Sequence, residues 1–308
     1  MMKERARYFF IGKSIVDGFM YKFFVFTILL FISTLYMKPL LYIISTSLKS
    51  VAEMLDPSIG WLPRVLEWGN YQVAFIGLEY MKGLFQTLLV AVGAAIFQVF
   101  SCSMTGYAFA RLHIPGKNIL FVIVLLTFLI PPQTIVIPLF VTYVKLGWLN
   151  TPLPFLIPAL FAQGLKGALF ILIFRQFYSS FPKELEESAR MDGAGPFRTF
   201  WKIMLPLSRP AMLIVFLFSF VWHWNNYFEP SLFLQNGEFV LLSGRLENLQ
   251  DSLNASMGTA SFLGFTFFDL NEPIKMAGAL LVILPPLILF MFTQRYFVEG
   301  IERTGIVE

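Results

Sequence analysis

Two stretches of the chain hold residues of the kinds that recognise a solute or transmit a movement. The first is residues 181–210, FPKELEESARMDGAGPFRTFWKIMLPLSRP. Pro182 is placed to open a helix, and Glu184, Glu186 and Glu187 fall in its first turns, where carboxylates complement the helix dipole. Gly193 is the expected end of that helix, because glycine enters the left-handed region without steric cost. Pro196 then opens a second helix with Phe197, Phe200, Trp201 and Met204 on or near one face, and Pro206 ends it. Two short helices at a sharp angle form a charged knob, which on physical grounds fits either a docking element or a solvated connector at a membrane surface. The second stretch holds Trp222, His223, Trp224, Asn225, Asn226 and Tyr227, followed by Glu229. Aromatic rings stack on the apolar faces of sugars and amides bond hydroxyls, so this cluster suits a polyhydroxylated solute. The same residues suit an aromatic belt at a membrane interface. Other chemistries find little support. Cys102 is the one cysteine, so no disulfide forms within the chain, and His113 and His223 share no metal spacing. No Gly-x-x-x-x-Gly-Lys-[Ser/Thr] phosphate loop occurs, so no ATP site of that kind is expected in this chain.

The elements that position these residues are membrane helices. Of 308 residues, 57% are hydrophobic and 14% charged, against about 25% charged in soluble domains, and the mean hydropathy is +0.70. One soluble core of this size cannot bury that much apolar surface. Lipid therefore solvates part of it, and only helices and closed barrels satisfy their backbone there. The apolar runs are long and continuous rather than short and alternating, which selects helices. Six runs reach spanning length, at roughly 23–47, 84–108, 119–142, 153–174, 211–233 and 276–297. Residues 1–22 read as a basic N-terminal segment whose apolar continuation has no small-residue cleavage site, hence a retained first span. Lys and Arg set the orientation. Fifteen of the 23 fall before span one, between spans two and three, between spans four and five (Arg175 to Arg209) and in the tail, against six in the alternate loops. Both termini and the 181–209 loop are thus expected to be cytoplasmic. The net charge of +4 reports topology rather than nucleic-acid binding, since no basic cluster meets an aromatic platform. Pro39, Pro131, Pro132, Pro138, Pro158, Pro285 and Pro286 fall inside runs, where proline kinks or breaks a helix. Lys166, between Gly164 and Gly167, marks a break in the fourth run. The outer loop 234–275 has two apolar patches, 239–242 and 258–268, and fits either a segment dipping back toward the spans or a docking surface.

The 181–210 loop resembles the EAA motif of binding-protein-dependent ABC importer permeases: Glu187-Ser188-Ala189, three residues, Gly193, nine residues, then Ile203-x-Leu205-Pro206. Ser188 stands where alanine is usual. Asn70-Tyr71, Tyr107 to Arg111, Pro132-Gln133, Trp224 to Tyr227 and Gln294 to Gly300 are similar to the carbohydrate-uptake, MalG-like branch, and their order covers roughly residues 20–305. The resemblance implies an all-α integral membrane protein, a six-transmembrane-helix bundle of the type I ABC importer permease fold. Its permease domain would be 23–298 (core about 80–298), with a coupling-helix loop at 181–209 and a cytoplasmic tail at 299–308. It implies that Glu187, Ser188, Ala189, Arg190, Asp192, Gly193, Ile203, Leu205 and Pro206 couple the chain to an ATPase. In that arrangement Glu187 makes polar contacts, Ser188 and Ala189 pack closely and Gly193 makes the turn. Trp222, Trp224, Asn225, Asn226 and Tyr227 are the corresponding candidates for the solute pathway. The implied partners are a second homologous permease, a dimeric ATPase that carries ATP and Mg2+, and an extracytoplasmic solute-binding protein, in a bacterial-type cytoplasmic membrane. This chain itself would perform no covalent chemistry and hold no cofactor. A peptide or polyol-phosphate cargo keeps the same machine. An ion-coupled secondary transporter would need paired acidic groups within the spans and an internal repeat; only Glu229 lies near a span. A structural or sensory membrane protein would leave the 181–210 spacing unexplained.

Overall fold

In the computed structural model of the chain, residues 18–235, 238–249, 251–253 and 272–305 are described, and among them every regular element is helical. The chain divides into two units, residues 1–74 with 259–280 and residues 75–258 with 281–308.

In the first unit, α1 (Phe19–Ser47) is one unbroken helix with Pro39 inside it. Phe23, Phe24, Phe26, Phe31 and Tyr36 are all exposed, an apolar surface suited to lipid or to another subunit. Past α1 lies the short helix α2 (Val51–Leu55), capped by Ser50, whose hydroxyl accepts from the Glu53 amide at 3.2 Å. Asn70 opens α3 (Gly69–Gly77) and donates to the carbonyls of Ser47 and Lys49, both at 2.9 Å. Tyr71 meets the Ser47 hydroxyl at 2.8 Å. The Asn70 amide thus satisfies the carbonyl of Ser47 at the end of α1 and that of Lys49 just past it, while Tyr71 bonds the Ser47 hydroxyl.

The second unit is built around α4 (Tyr80–Arg111), whose 32 residues span about 48 Å at 1.5 Å each. Its buried stripe includes Gly83, Thr87, Ala91, Ala94, Ala95, Gln98, Ser101, Cys102, Ser103 and Gly106, mostly small residues that let neighbouring backbones approach. At Gly106 an added Cβ would stand 2.6 Å from the Phe174 Cβ and 2.9 Å from the Arg175 backbone nitrogen, so only glycine fits that crossing.

Three of the six predicted runs are not continuous helices. The run 119–142 is α5 (Lys117–Leu129) followed by α6 (Pro132–Leu146), bent by 96°. Pro131 and Pro132 supply no amide donors, and a residue before proline avoids the helical region. The run 153–174 is α7 (Leu153–Leu160) and α8 (Gly167–Ser179), with Ala162, Gly164 and Lys166 between them at φ of 58°, 86° and 61°. The break at Lys166 is where the sequence places it. The run 211–233 is α12 (Arg209–Asn225) and α13 (Phe228–Phe233), split at Asn226. Ahead of α12 come α9 (Glu184–Met191), α10 (Pro196–Thr199), a π turn over Phe200–Met204 and α11 (Leu205–Leu207). The Pro196–Leu207 stretch meets α12 at a 77° bend. Two further helices follow, α14 (Leu242–Glu247) and α15 (Glu272–Gly305). By length and composition three helices can cross a membrane, or up to five if each bent pair counts as one.

A broken helix in lipid leaves carbonyls without water, a cost of several kcal/mol per group. The polar residues of α4 remove that cost at the α7–α8 break. Gln98 donates to the carbonyls of Gln163 and Leu165 at 3.3 and 3.0 Å, and Ser101 donates to that of Ala159 at 2.7 Å. Ser219 of α12 donates to the Gln98 side-chain oxygen at 2.6 Å and orients the amide. The same logic holds in α15. Pro285 and Pro286 lack the N–H groups that would bond the carbonyls of Leu281 and Val282 four residues earlier. The Tyr80 hydroxyl takes Leu281 at 3.0 Å and the Trp224 indole takes Val282 at 3.2 Å.

The 178–186 and 240–245 segments lie at opposite ends of α4. Arg111 at its C-terminal end meets the 178–186 segment. At its N-terminal end Gln86 and Thr87 accept the amides of Val240 and Leu242 at 3.2 and 2.9 Å. Arg245 reaches Glu79 at 2.9 Å, and that hydrogen bond holds the Glu79 carboxyl below its ordinary pKa. The patch 239–242 therefore packs against α4 through Leu241 and Leu242, both buried. The patch 258–268 lies outside the described residues.

The Trp224–Pro286 relation predicts a double-mutant cycle. Trp224→Phe should cost about 1–3 kcal/mol by leaving a carbonyl unpaired, and less in a Pro286→Ala background, where the helix restores its own bond. Thermal unfolding of the purified chain in detergent measures both; equal losses in the two backgrounds would contradict the pairing.

Candidate functional site

The first helix of the 181–210 knob begins at Glu184, two residues past Pro182, which lies outside it. α9 ends in a Schellman turn: the amides of Gly193 and Ala194 bond the carbonyls of Arg190 and Ala189, both at 2.9 Å. Gly193 has φ +77°, and nothing lies within 4 Å of a Cβ built on it. The turn thus needs glycine for its backbone angle, and its outer side is open. Glu187, Ser188, Arg190, Asp192 and Gly193 are exposed, and Met191 beside them is 90% exposed. Ala189 is buried, as close packing requires. Ser188 is not: one position earlier on the helix, it faces away from the chain's own core.

The second helix of the knob departs from expectation twice. Phe197 and Trp201 are exposed while Phe200 and Met204 are buried, so the four residues occupy two faces. Pro206 does not end the helix, which runs to Leu207. The wider π turn ahead of it, closed by the bond from the Leu205 amide to the Phe200 carbonyl, accommodates a ring that an α turn would reject. Leu205 is buried, Ile203 is partly buried and Pro206 is exposed.

A buried ion pair joins this knob to α4. Arg111 Nε stands 3.7 Å from Glu186 Oε1, with the side chains 7% and 9% exposed. Nε also donates to the Tyr178 carbonyl at 2.9 Å, and the far guanidinium nitrogen donates to the Phe181 carbonyl. One side chain therefore fastens the end of α8, the turn after it and the first turn of α9. Directly beneath, the Tyr178 hydroxyl joins Ser103 of α4 at 2.6 Å and Ser208 at 3.0 Å, all three fully buried. Tyr107 packs edge-on to Tyr178, with centroids 5.7 Å apart. Sequence reading did not single out Arg111, Glu186 or Tyr178 for this clasp. Glu186 and Glu187 look alike in the sequence; the signal was helical phase, since Glu186 lies three residues before the buried Ala189.

The predicted solute residues do not form one group. Trp224 is buried and bonds α15. Trp222 is half-buried and stacks on Phe218 with centroids 5.6 Å apart. Asn225 and Tyr227 are exposed. Asn226 opens α13, donating to Glu229 Oε2 at 2.9 Å and accepting the Glu229 amide at 3.4 Å. None of these five lines the cavity of about 450 Å³ bounded by α5, α6, α7, the 161–166 break, His223, Glu229 and Phe233. Alternate positions of a helix point apart, so a run of consecutive residues cannot all face one space.

Among the described residues all regular elements are helical, several are long and apolar enough to cross a membrane, and they combine a cavity at a helix break with an exposed knob. Residues 102–303 match the family described as "Binding-protein-dependent transport system inner membrane component", and the chain belongs to it. It is 29% identical over 278 residues to the arabinooligosaccharides transport system permease protein AraQ of Bacillus subtilis, covering 89% of this chain and 92% of the relative. It is 26% identical over 275 residues to the sn-glycerol-3-phosphate transport system permease protein UgpE of Rhizobium meliloti, covering 86% and 90%. A bacterial ABC transporter structure, one involved in importing the acidic polysaccharide alginate, shares the fold: TM-score 0.75 at 24% identity, over 90% of this chain and 96% of that one.

The clasp predicts an asymmetry. Arg111→Leu leaves a buried carboxylate and two carbonyls without their cation and should cost about 3–5 kcal/mol. Glu186→Gln leaves Arg111 its carbonyl partners and should cost clearly less. Unfolding midpoints of the two variants in detergent test this; a Glu186→Gln loss equal to that of Arg111→Leu would refute it.

Proposed function

We propose that this chain is the permease subunit of an ATP-binding-cassette importer that carries a sugar or oligosaccharide inward by alternating access. Family membership carries the reading, and the arabinooligosaccharide relative, aligned over nearly the whole of both chains, supports the cargo. A polyol phosphate is the second reading, favoured by the glycerol-3-phosphate relative. The spans in this proposal number six: α1, α4, α5 with α6, α7 with α8, α12 with α13, and α15. Both termini and the knob face the cytoplasm, in line with the Lys and Arg bias.

The knob docks on a separate ATPase, which binds ATP and Mg2+. Glu187, Arg190, Asp192 and Gly193 present its exposed surface, while Ala189 and Leu205 seat it on the chain. ATPase closure pushes this surface. Arg111 passes the push to α4 and α8, because a braced knob moves with its support as a rigid body. A second homologous permease and an extracytoplasmic binding protein complete the assembly, and the exposed apolar face of α1 is available to lipid or to that second permease.

Purification from native membranes tests the assembly. An ATPase, a second permease and a solute-binding protein should co-purify, and the ligand of the binding protein names the cargo. Gly193→Asp should insert normally and abolish uptake, since a side chain at φ +77° strains the turn and the new carboxylate stands on its open outer side. Full uptake by a well-expressed Gly193→Asp chain would remove the coupling assignment.

A further inference from the structure

The second helix of the knob has a face that the coupling mechanism does not use. Thr199, Phe200 and Met204 seat this stretch on the chain and are buried. Phe197 and Trp201 are 69% and 43% exposed. Their rings lie 6.1 Å apart, and Trp201 also packs on Phe100 of α4, with centroids 6.0 Å apart. Phe100 belongs to a stripe. Of residues 91–110 only Ile96, Phe100 and Met104 are exposed, and residues four apart lie one above another on a helix. The stripe is about 12 Å long and continues through the Phe100–Trp201 contact onto the knob. It lies on a helix long and apolar enough to cross a membrane. Charge sets this face apart from the rest of the knob. α9 carries Glu184, Glu186 and Glu187, with Asp192 at its end. From Gly193 to Phe228 no acidic residue occurs, while Arg198, Lys202 and Arg209 are present and exposed. Among the described residues none of these three side chains makes a hydrogen bond or ion pair. Arg198 follows Phe197 and Lys202 follows Trp201, so each exposed ring has a base one position on. Exposed rings beside bases on one short segment are the pattern of a helix lying in the headgroup layer.

We propose that this face binds an anionic phospholipid of the leaflet on the knob's side. Arg198 and Lys202 hold its phosphodiester, and an acyl chain lies along Trp201, Phe100 and the α4 stripe. The occupant has to answer two features at once, an apolar stripe on a membrane helix and bases with no acid among them. A free phosphate would leave the stripe bare. A zwitterionic lipid would cover the stripe, but its own ammonium offsets its phosphate. A lipid with a net negative headgroup satisfies both, and basic segments beside a membrane helix draw such lipids electrostatically. Lys and Arg stems also run along apolar surface while their charges reach the headgroup layer. Lipid bound here braces the second helix of the knob, as Arg111 braces the first turn of α9.

The proposal needs the chain in a membrane and does not depend on its cargo, so the experiment reads lipid binding rather than uptake. The chain is purified from membranes with its bound partners and placed in phosphatidylcholine nanodiscs. These contain rising fractions of phosphatidylglycerol whose brominated acyl chains quench tryptophan at close range. The chain has six tryptophans, and the difference between wild type and Trp201→Phe isolates the Trp201 signal. Brominated phosphatidylglycerol should half-quench that signal at a mole fraction about fivefold lower than brominated phosphatidylcholine does. Arg198→Gln combined with Lys202→Gln should abolish the preference, and Arg198→Lys combined with Lys202→Arg should keep it. The comparison of the two lipids on the wild-type chain stands without either pair. Equal quenching by both lipids overturns the proposal. So does a preference that survives the double glutamine variant. Absence of Trp201 quenching by either lipid also overturns it, since a protein such as a second permease then covers the face. ATPase capture, scored alongside, bears on the importer reading alone and leaves the lipid result unchanged.

Discussion

A membrane offers no water to a carbonyl whose helix has been interrupted, and this structure depends on supplying those partners from elsewhere. The chain breaks three apolar runs and threads a proline pair through a fourth. Each interruption described at α4 or α15 is matched by a side chain on a neighbouring helix: Gln98 and Ser101 at the α7–α8 break, Tyr80 and Trp224 at Pro285–Pro286. Without those donors the irregular backbone would cost several kcal/mol per group. With them, α4 becomes a scaffold that tolerates bends, and bends create the space a permease needs.

The same helix links the two candidate sites. Gln98 and Ser101 hold the break whose Lys166 faces the cavity. Two residues past Ser101, Ser103 joins Tyr178 and Ser208, and farther along the helix Arg111 clasps Glu186 at the base of the knob. A buried ion pair is poor evidence of net stability, since desolvation offsets much of its attraction, but it does penalise alternative arrangements. Here it fixes the angle at which the knob leaves the core.

Part of this was legible beforehand. The Gly193 turn and the break at Lys166 both follow from residue type and local spacing. The 181–210 spacing also placed the knob between the right elements. The second helix was misjudged because the spacing puts Phe197, Phe200, Trp201 and Met204 near one helical stripe, whereas only Phe200 and Met204 are buried. The cluster at 222–227 looked like one site because it is contiguous, yet a helix and an Asn226 turn scatter its members. Trp224 bonds a carbonyl freed by a proline some 60 residues later, a pairing no local pattern contains.

The amino-acid order by itself determined the class of solvent, the helical character and the position of the glycine turn. Each depends on composition or on neighbours within one helical turn. The tertiary structure decided which of two adjacent glutamates is buried against Arg111 and which polar residues of α4 serve the breaks. It also decided which charges share a cavity. Those depend on which helices touch, and contact between distant segments is set by the packing of small residues such as Gly106 against Phe174, not by sequence proximity.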